Sequence, residues 1–152
     1  MKTFKSFFLL LFASALVFSV NSCKSGNGEE ELPDFNMVRT AEGFKEFIDE
    51  HGGFESAQIL DFRSAEDFAN GHVPGAVNIP ATAVNTDNGE FAQEVMAFFP
   101  DKSKPIYMYG GMMLDNVVAG RISGLGYGKV NSNLLMGGFN AWKAAFPDEI
   151  EQ

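Results

Sequence analysis

Short apolar runs of strand length alternate with helix-like segments from residue 40 onward, and this order constrains the fold more than any other feature. Thr40 is the predicted N-cap of a first helix, in which Phe44, Phe47 and Ile48 share one face. The segments predicted after it are a strand at 57–62, a short helix capped by Ser64, a strand in AVNIP (76–80), a helix in NGEFAQEVMAFFP (88–100), a strand at 105–109, a helix at 116–125 closed by Gly126, a strand in KVNSNLL (129–135) and a helix in FNAWKAAF (139–146).

This alternation predicts an α/β fold, a three-layer sandwich in which helices flank a mostly parallel central sheet. Functional sites in such sheets lie beyond the carboxyl ends of the strands. The loop Gly110–Asn116 follows the strand at 105–109 and opens the next helix. It is therefore the first candidate for a functional site.

The N-terminal segment has the features of an export signal. Lys2 and Lys5 precede an apolar run at 7–20, which is shorter than the roughly 20 residues of a membrane span. The end of this run, VNSC, resembles the lipobox of bacterial lipoproteins, although Asn21 departs from the small or hydroxyl residue that is usual there. The resemblance implies that the signal is cut before Cys23, the only cysteine, whose sulfur then carries a lipid.

The predicted domain organisation follows from this cleavage point. Residues 1–22 form a lipoprotein signal peptide, and residues 23–34, rich in Gly, Ser and Glu, form a flexible tether. Residues 35–152 form a single domain of ordinary size. The predicted location is the bacterial cell envelope, where lipid anchors the chain to a membrane on its periplasmic or surface face.

The charge excludes several classes of function. The formal net charge is −9 and becomes −11 when Lys2 and Lys5 leave with the signal. Such an acidic chain is a poor candidate for binding nucleic acid or an anionic membrane surface. A single cysteine also provides neither a disulfide nor a cysteine-based metal site, and we predict no metal and no cofactor.

Three stretches resemble the rhodanese (sulfurtransferase) homology domain. These are ILDFRSAEDFANGHVPGAVNIP, PIYMYGG with VVAGRISGLGY, and MGGFNAW, which together cover residues 35–146. The resemblance implies a rhodanese-like sandwich. In its catalytic members a cysteine directly after the strand equivalent to IYMY accepts a sulfane sulfur as a persulfide, inside a loop at a helix N-terminus that lowers the thiol pKa.

We predict mainly structural roles for the residues of the upstream motif. Asp61 and Arg63 are two residues apart at a strand end and face the same way, which favours a charge-assisted pair or a cap on neighbouring loops. The resemblance implies that such residues brace the active-site loop. His72 has only His51 as a histidine companion, so we predict a hydrogen-bonded structural histidine rather than a base or a metal ligand.

The active-site-like loop departs from the family pattern. Gly110 stands where the cysteine belongs, and it has no nucleophile. Asp115, the predicted N-cap of the following helix, puts negative charge where a cation commonly helps to hold thiosulfate. The other hydroxyl groups considered, on Ser123, Thr82 and Thr86, lie elsewhere in the predicted elements.

These departures favour a catalytically inactive rhodanese-like domain that acts as a binding or interaction module for an unidentified protein partner. The loop, made of Gly110, Gly111, Met112, Met113, Leu114, Asp115 and Asn116, would then present an apolar contact surface, unless Met112 and Met113 fold back into the core. The alternative is a thiosulfate or persulfide sulfurtransferase that uses a thiol supplied in trans and binds a small sulfur anion. A purely structural envelope protein is a third possibility.

Overall fold

The computed structural model describes residues 34–111 and 113–152. The predicted signal peptide, Cys23 and Met112 lie outside the described residues. No helix in the described part of the chain has the length and apolar character needed to cross a membrane.

Strands and helices alternate as the sequence predicts. The strands are β1 (Asn36–Val38), β2 (Gln58–Asp61), β3 (Val77–Asn78), β4 (Ile106–Tyr109) and β5 (Ser132–Leu135). The helices are α1 (Ala41–Glu50), α2 (Ala65–Ala69), α3 (Ala83–Asn88), α4 (Glu90–Phe98), α5 (Asp115–Ile122), α6 (Gly128–Asn131) and α7 (Gly138–Ala145), and a π-helical turn at Ser123–Tyr127 joins α5 to α6.

The five strands form one sheet in the order β1-β5-β4-β2-β3, and every pairing is parallel. The predicted α/β sandwich is therefore confirmed. β2, β4 and β5 are buried along their whole length, so none of them shows the inside–outside alternation of a half-exposed strand.

The structure differs from the sequence prediction at β1 and α3, which were not predicted, and at the boundaries of α5 and β5. β1 was not predicted, because its three residues are too few to show a period, and it forms only by pairing with β5. The predicted strand at 129–135 begins later, at Ser132, because Gly128 adopts a φ of +68° and residues 128–131 form a helical turn. The Ser132 hydroxyl donates to the Gly128 carbonyl (2.8 Å) and closes this turn.

The predicted caps at Thr40 and Ser64 are confirmed. On the predicted face of α1, Phe44 and Ile48 are buried, whereas Phe47 is exposed. The Thr40 hydroxyl accepts from the Gly43 amide (3.1 Å), and the Ser64 hydroxyl accepts from the Asp67 amide (3.1 Å). At the end of α4, Phe98 is exposed and the following Phe99 is buried.

The sheet separates two hydrophobic cores. One core packs α4 and α5 against the sheet and includes Phe62, Phe91, Val95, Phe99, Met108, Val118 and Ile122. The other packs α1 and α7 against the opposite face and includes Phe44, Ile48, Ile59, Tyr107, Tyr109, Phe139 and Trp142. Because both faces are covered, the carboxyl ends of the strands form the accessible edge at which loops gather.

Candidate functional site

The candidate site lies where β2 and β4 end side by side. Asp61 pairs in register with Tyr109, so the next residues, Phe62 and Gly110, are neighbours. The Phe62 amide donates to the Tyr109 carbonyl (3.1 Å) and extends this register by one residue. The strand ends therefore set an aromatic ring beside the first glycine of the loop.

Gly110 is buried, and the Phe62 ring fills the space that a side chain at this position would need. A Cβ built on Gly110 would lie 2.0 Å from Cε2 and 2.2 Å from Cδ2 of Phe62. Real Cβ atoms do not approach other atoms so closely, and Phe62 is itself only 3% exposed within the core. The site therefore has no room for a side chain at 110 while the ring keeps this position.

The backbone of Gly110 is also held closely from the other side. A Cβ on Gly138 would lie 2.2 Å from the Gly110 carbonyl oxygen, and Gly138 has a φ of +56°. Only glycine allows the N-terminus of α7 to approach the end of β4 at this distance. The MGGFNAW motif thus contributes to the loop through backbone packing.

Beyond Gly110 the loop reaches the protein surface. Gly111 is exposed, the Met113 side chain is 96% exposed, and Leu114 is half-buried against the core. The sequence left open whether Met113 packs into the core or lies at the surface, and in the structure it lies at the surface. A groove of ≈ 420 Å³ beside the loop is lined by Phe62, Arg63, Ser64, Asp67, Ala81, Gly111, Met113 and Leu114.

Asp115 is not the N-cap of α5, and that prediction is wrong. The Leu114 amide donates to the Gly111 carbonyl (3.3 Å) and the Val118 amide donates to the Leu114 carbonyl (2.8 Å). The helix therefore begins one residue earlier than expected, and Asp115 is its first residue, with Leu114 in the cap position. Asn116, the last residue of the predicted loop, is exposed on the first turn.

The Asp115 carboxylate is buried, and its Oδ1 atom has no hydrogen-bond partner among the described residues. Burial raises the pKa of Asp115 above its usual value. A carboxylate at a helix N-terminus is normally favoured by the helix dipole, but here the cost of removing it from water is larger. At this position the loop therefore has a carboxyl group rather than a cation that could bind an anion.

The predicted pair between Asp61 and Arg63 is confirmed. Arg63 Nη2 lies 2.5 Å from Asp61 Oδ2, and Arg63 Nε lies 3.0 Å from the same oxygen. Arg63 also donates to the Gly71 carbonyl (2.8 Å), and its guanidinium lies 4.1 Å from the centre of the Phe139 ring. The Asn78 amide donates to the Asp61 carbonyl (3.1 Å). These contacts tie β2 to β3 and to the turn at Gly71.

The phenol of Tyr109 completes the polar interior behind the loop. Its hydroxyl accepts from the Val73 amide (3.0 Å). Burial, and secondarily the Asp61 carboxylate, raises the pKa of Tyr109, so the phenol stays protonated at neutral pH. This side chain therefore holds the turn at 73 and supplies no anionic nucleophile.

The histidines and hydroxyls considered at the sequence level have structural partners. His72 Nδ1 lies 3.1 Å from the Phe68 carbonyl and its ring stacks on Phe68, as expected of a structural histidine. Ser123 donates to Asp34 (3.1 Å), while the Thr82 hydroxyl caps α3. Within residues 34–111 and 113–152, no group of three His, Cys, Asp or Glu side chains is placed to hold a metal ion.

Sequence reasoning missed Phe62 and Gly138, although both carry a signal. Phe62 is the middle residue of the Asp-x-Arg motif, and strand register places this bulky ring opposite a glycine. Gly138 is the second glycine of a pair, and its close approach to the Gly110 carbonyl becomes visible only when β4 and α7 are placed together.

Comparisons with known proteins agree with this architecture. A family model described as rhodanese-like domain matches residues 40–145. Thiosulfate sulfurtransferase GlpE from Pseudomonas savastanoi pv. phaseolicola is 30% identical over 98 residues, which span 64% of this chain and 83% of that protein.

Two solved structures show the same fold. The rhodanese-like domain of the Alr3790 protein from Anabaena sp. has a TM-score of 0.52 at 24% identity and covers 75% of both chains. A rhodanese-like domain protein from Staphylococcus aureus has a TM-score of 0.52 at 22% identity and covers 71% of this chain and 91% of its own. The parallel sheet, the three motifs and the family match lead to one conclusion: this chain belongs to the rhodanese-like domain family.

Proposed function

We propose that this protein is a non-catalytic member of the rhodanese-like family and acts as a binding module on a bacterial envelope membrane. The observation that carries the proposal is the pair formed by Gly110 and Phe62. The family's persulfide forms on a cysteine directly after the strand equivalent to β4, and this position here is a glycine whose side-chain space holds an aromatic ring. Both the nucleophile and the room for it are missing from the described site.

The electrostatics of the loop support the same proposal. An enzyme that takes sulfur from thiosulfate must hold a dianion, which favours cations and free amide groups at the loop. The first turn of α5 instead contains the buried Asp115, and the guanidinium of Arg63 is bound to Asp61. A negative substrate would therefore gain little at this end of the sheet.

The surface of the loop supports binding rather than chemistry. Met113 projects almost fully into solvent beside a groove whose floor includes Phe62 and Leu114. Exposed methionine adapts its shape to apolar partners, and an exposed apolar contact next to a groove is typical of interaction sites. We propose that a protein partner docks against Met113 and this groove.

The deciding experiment is a thiosulfate:cyanide sulfurtransferase assay on the purified protein, with an active rhodanese as the positive control. Transfer would move the sulfane sulfur of thiosulfate to cyanide and release sulfite and thiocyanate. We expect thiocyanate formation at the level of a heat-killed sample. Transfer clearly above that level would overturn the proposal.

The competing function is sulfur transfer with a thiol supplied by another molecule, and the similarity to thiosulfate sulfurtransferase GlpE is what favours it. It requires the loop to bind a small sulfur anion. Thiosulfate or sulfite should then raise the melting temperature of the protein at millimolar concentration, whereas a binding module without an anion site gives no shift. Sodium sulfate at the same ionic strength is the control for general salt effects.

The membrane anchor is a separate part of the proposal and depends on the resemblance of VNSC to a lipobox. In a bacterial host, the wild-type chain should incorporate a labelled fatty acid and enter the detergent phase. Cys23→Ser should abolish both. Equal labelling of the variant would exclude lipid at Cys23.

A further inference from the structure

A second surface runs along the free side of β1, which is separated from β4 by β5. Among the described residues β1 pairs only with β5, so it is an edge strand of the sheet. A groove of ≈ 490 Å³ follows this edge and is lined by residues 35–39, Phe47 and Lys129. We name it the β1 groove.

The backbone of β1 can accept another strand. The Val38 carbonyl accepts from the Met136 amide (2.9 Å), so the peptide groups of Val38 face β5. Since peptide groups alternate in direction along a strand, the N–H and C=O of Met37 face the open side. Unpaired groups on a sheet edge are a template for an incoming extended chain.

The side chains of the β1 groove combine apolar surface with positive charge. Met37 is 44% exposed and Phe47 is 41% exposed. Arg39 follows the C-terminal end of β1, while Lys129 lies near its other end, where Asn36 donates to the Val130 carbonyl (3.2 Å). Both cations are exposed, and no described carboxylate forms an ion pair with either of them.

This charge pattern is opposite to that of the whole protein. The chain has 20 acidic and 11 basic residues, yet the lining of the β1 groove includes two cations and no carboxylate. Three strand residues span about 10 Å, so the cations bracket a short extended segment. Paired charges at such a spacing fit a ligand with acidic side chains near both ends.

We propose that the β1 groove binds an acidic protein segment in extended conformation, which adds to the sheet beside β1 and places its carboxylates at Arg39 and Lys129. This site is independent of the surface at Met113. A second copy of the chain is disfavoured as the occupant, because two β1 edges would bring the same cations together in an already like-charged pair of molecules.

The test measures binding of a labelled peptide, acetyl-Thr-Glu-Val-Thr-Val-Glu-Thr-amide, to the purified protein at low salt by fluorescence anisotropy. We expect saturable binding below about 1 mM. The double variant Arg39→Gln/Lys129→Gln should bind about fivefold more weakly or worse, because two exposed ion pairs are lost. A peptide with glutamine in place of both glutamates should lose a similar amount of affinity.

Two controls separate strand addition from general attraction. Arg121→Gln/Lys143→Gln removes the same charge from exposed positions on α5 and α7 and should leave binding unchanged. Replacing the central threonine of the peptide with proline removes a backbone donor and should weaken binding at unchanged charge.

Several outcomes would overturn the proposal. These are no saturable binding by the wild type, equal binding of the glutamine peptide, or an equal loss in both double variants. Dimerisation that depends on Arg39 and Lys129 would assign the groove to a second copy. Peptide binding that appears only after Glu29, Glu30 and Glu31 are changed to glutamine would assign it to the chain's own acidic segment.

Discussion

At the scale of single residues, Gly110 and Phe62 act as a complementary pair. The glycine provides no Cβ, and the ring occupies the volume that a Cβ would take. Buried side chains in a close-packed core have little freedom to move aside. The packing around Gly110 therefore leaves no space for a side chain at this position. Restoring a side chain there requires more than one substitution.

The first prediction concerns Gly110→Cys. Its Cβ overlaps the Phe62 ring, so we expect a loss of about 1–3 kcal/mol in the free energy of unfolding and no gain in sulfurtransferase activity. Denaturant unfolding measures the first effect, and the thiosulfate assay measures the second.

Phe62→Ala supplies the control, because it opens the space that the new side chain needs. Phe62→Ala alone should cost about 3–5 kcal/mol through the cavity that it leaves. The double variant should lose less than the sum of the two single variants. Strict additivity, or high activity in Gly110→Cys alone, would contradict the packing explanation.

The second prediction concerns Asp115. Burial raises its pKa above the ordinary value of 3.8, so the folded protein holds this proton more tightly than the unfolded chain. The stabilising contribution of the group is complete below the unfolded pKa and is lost as the pH rises through the folded pKa. Asp115→Asn cannot ionise, so its stability relative to wild type should rise with pH and reach about 1 kcal/mol near neutrality.

Denaturant unfolding at about pH 4 and at neutral pH tests this pattern. Glu66→Gln is the matched control, since Glu66 is an exposed acid in the first turn of α2. It should show no gain at neutral pH, because an exposed carboxylate at a helix N-terminus is favourable. A variant at 115 that is less stable than wild type at neutral pH would mean that the charge has a partner.

At the scale of elements, the site depends on how α7 meets the end of β4. Gly138 begins α7 with a φ of +56°, and its Cα lies close to the Gly110 carbonyl. The apolar stripe of Phe139 and Trp142 then buries the helix on the α1 side of the sheet. The two contacts fix the position of the helix relative to the loop.

The third prediction is that Gly138→Ala destabilises the protein by at least about 2 kcal/mol. The methyl group would meet the Gly110 oxygen, and alanine is unfavourable at positive φ. Gly120→Ala is the control, because Gly120 lies on the exposed face of α5 and a methyl group there would have no neighbouring atom within 4 Å. It should stabilise the helix by about 0.5–1 kcal/mol. Equal effects of the two changes would contradict the close approach.

At the scale of the whole molecule, the C-terminal residues connect α7 with the turn before β3. The Trp142 indole donates to the Glu149 carbonyl (2.8 Å). His72 and Glu151 exchange two backbone hydrogen bonds (3.0 and 3.1 Å), and the Glu151 carboxylate accepts from the Gly75 amide (2.9 Å). This segment therefore joins the family motif GHVPG to the last helix.

The fourth prediction is that deletion of residues 149–152 lowers the free energy of unfolding by about 2–4 kcal/mol, since it leaves buried donors without partners. Trp142 is the only tryptophan, so its fluorescence should shift to longer wavelength as the indole gains contact with water.

Glu151→Gln retains the backbone bonds of this segment and is the control for the truncation. It should cost less than about 1 kcal/mol, because Glu151 is exposed and its side-chain contacts are at the surface. An unchanged melting temperature and unchanged fluorescence in the truncated protein would show that the segment does not hold the two elements together.

Sequence periodicity was enough for the elements with long, regular patterns. The buried positions Phe44 and Ile48 of α1, the buried runs of β2 and β4 and the cap at Thr40 follow from local chemistry, and the structure confirms them. Phe47, predicted on the same face of α1, is exposed instead. Periodicity was not enough for β1, whose three residues form a strand only beside β5. Short segments take their conformation from their neighbours rather than from their own propensity.

The sequence by itself determined the α/β order, the family motifs, the glycine at 110 and the position of Asp61 and Arg63 at one strand end, because each depends on residues close together in the chain. Only the tertiary structure decided that Phe62 fills the space beside Gly110, that Asp115 is buried with no described partner for its Oδ1 atom, and that Gly138 touches the loop. These features depend on contacts between residues that are distant in the sequence or on burial by other elements. Such contacts form only when the sheet and helices pack together.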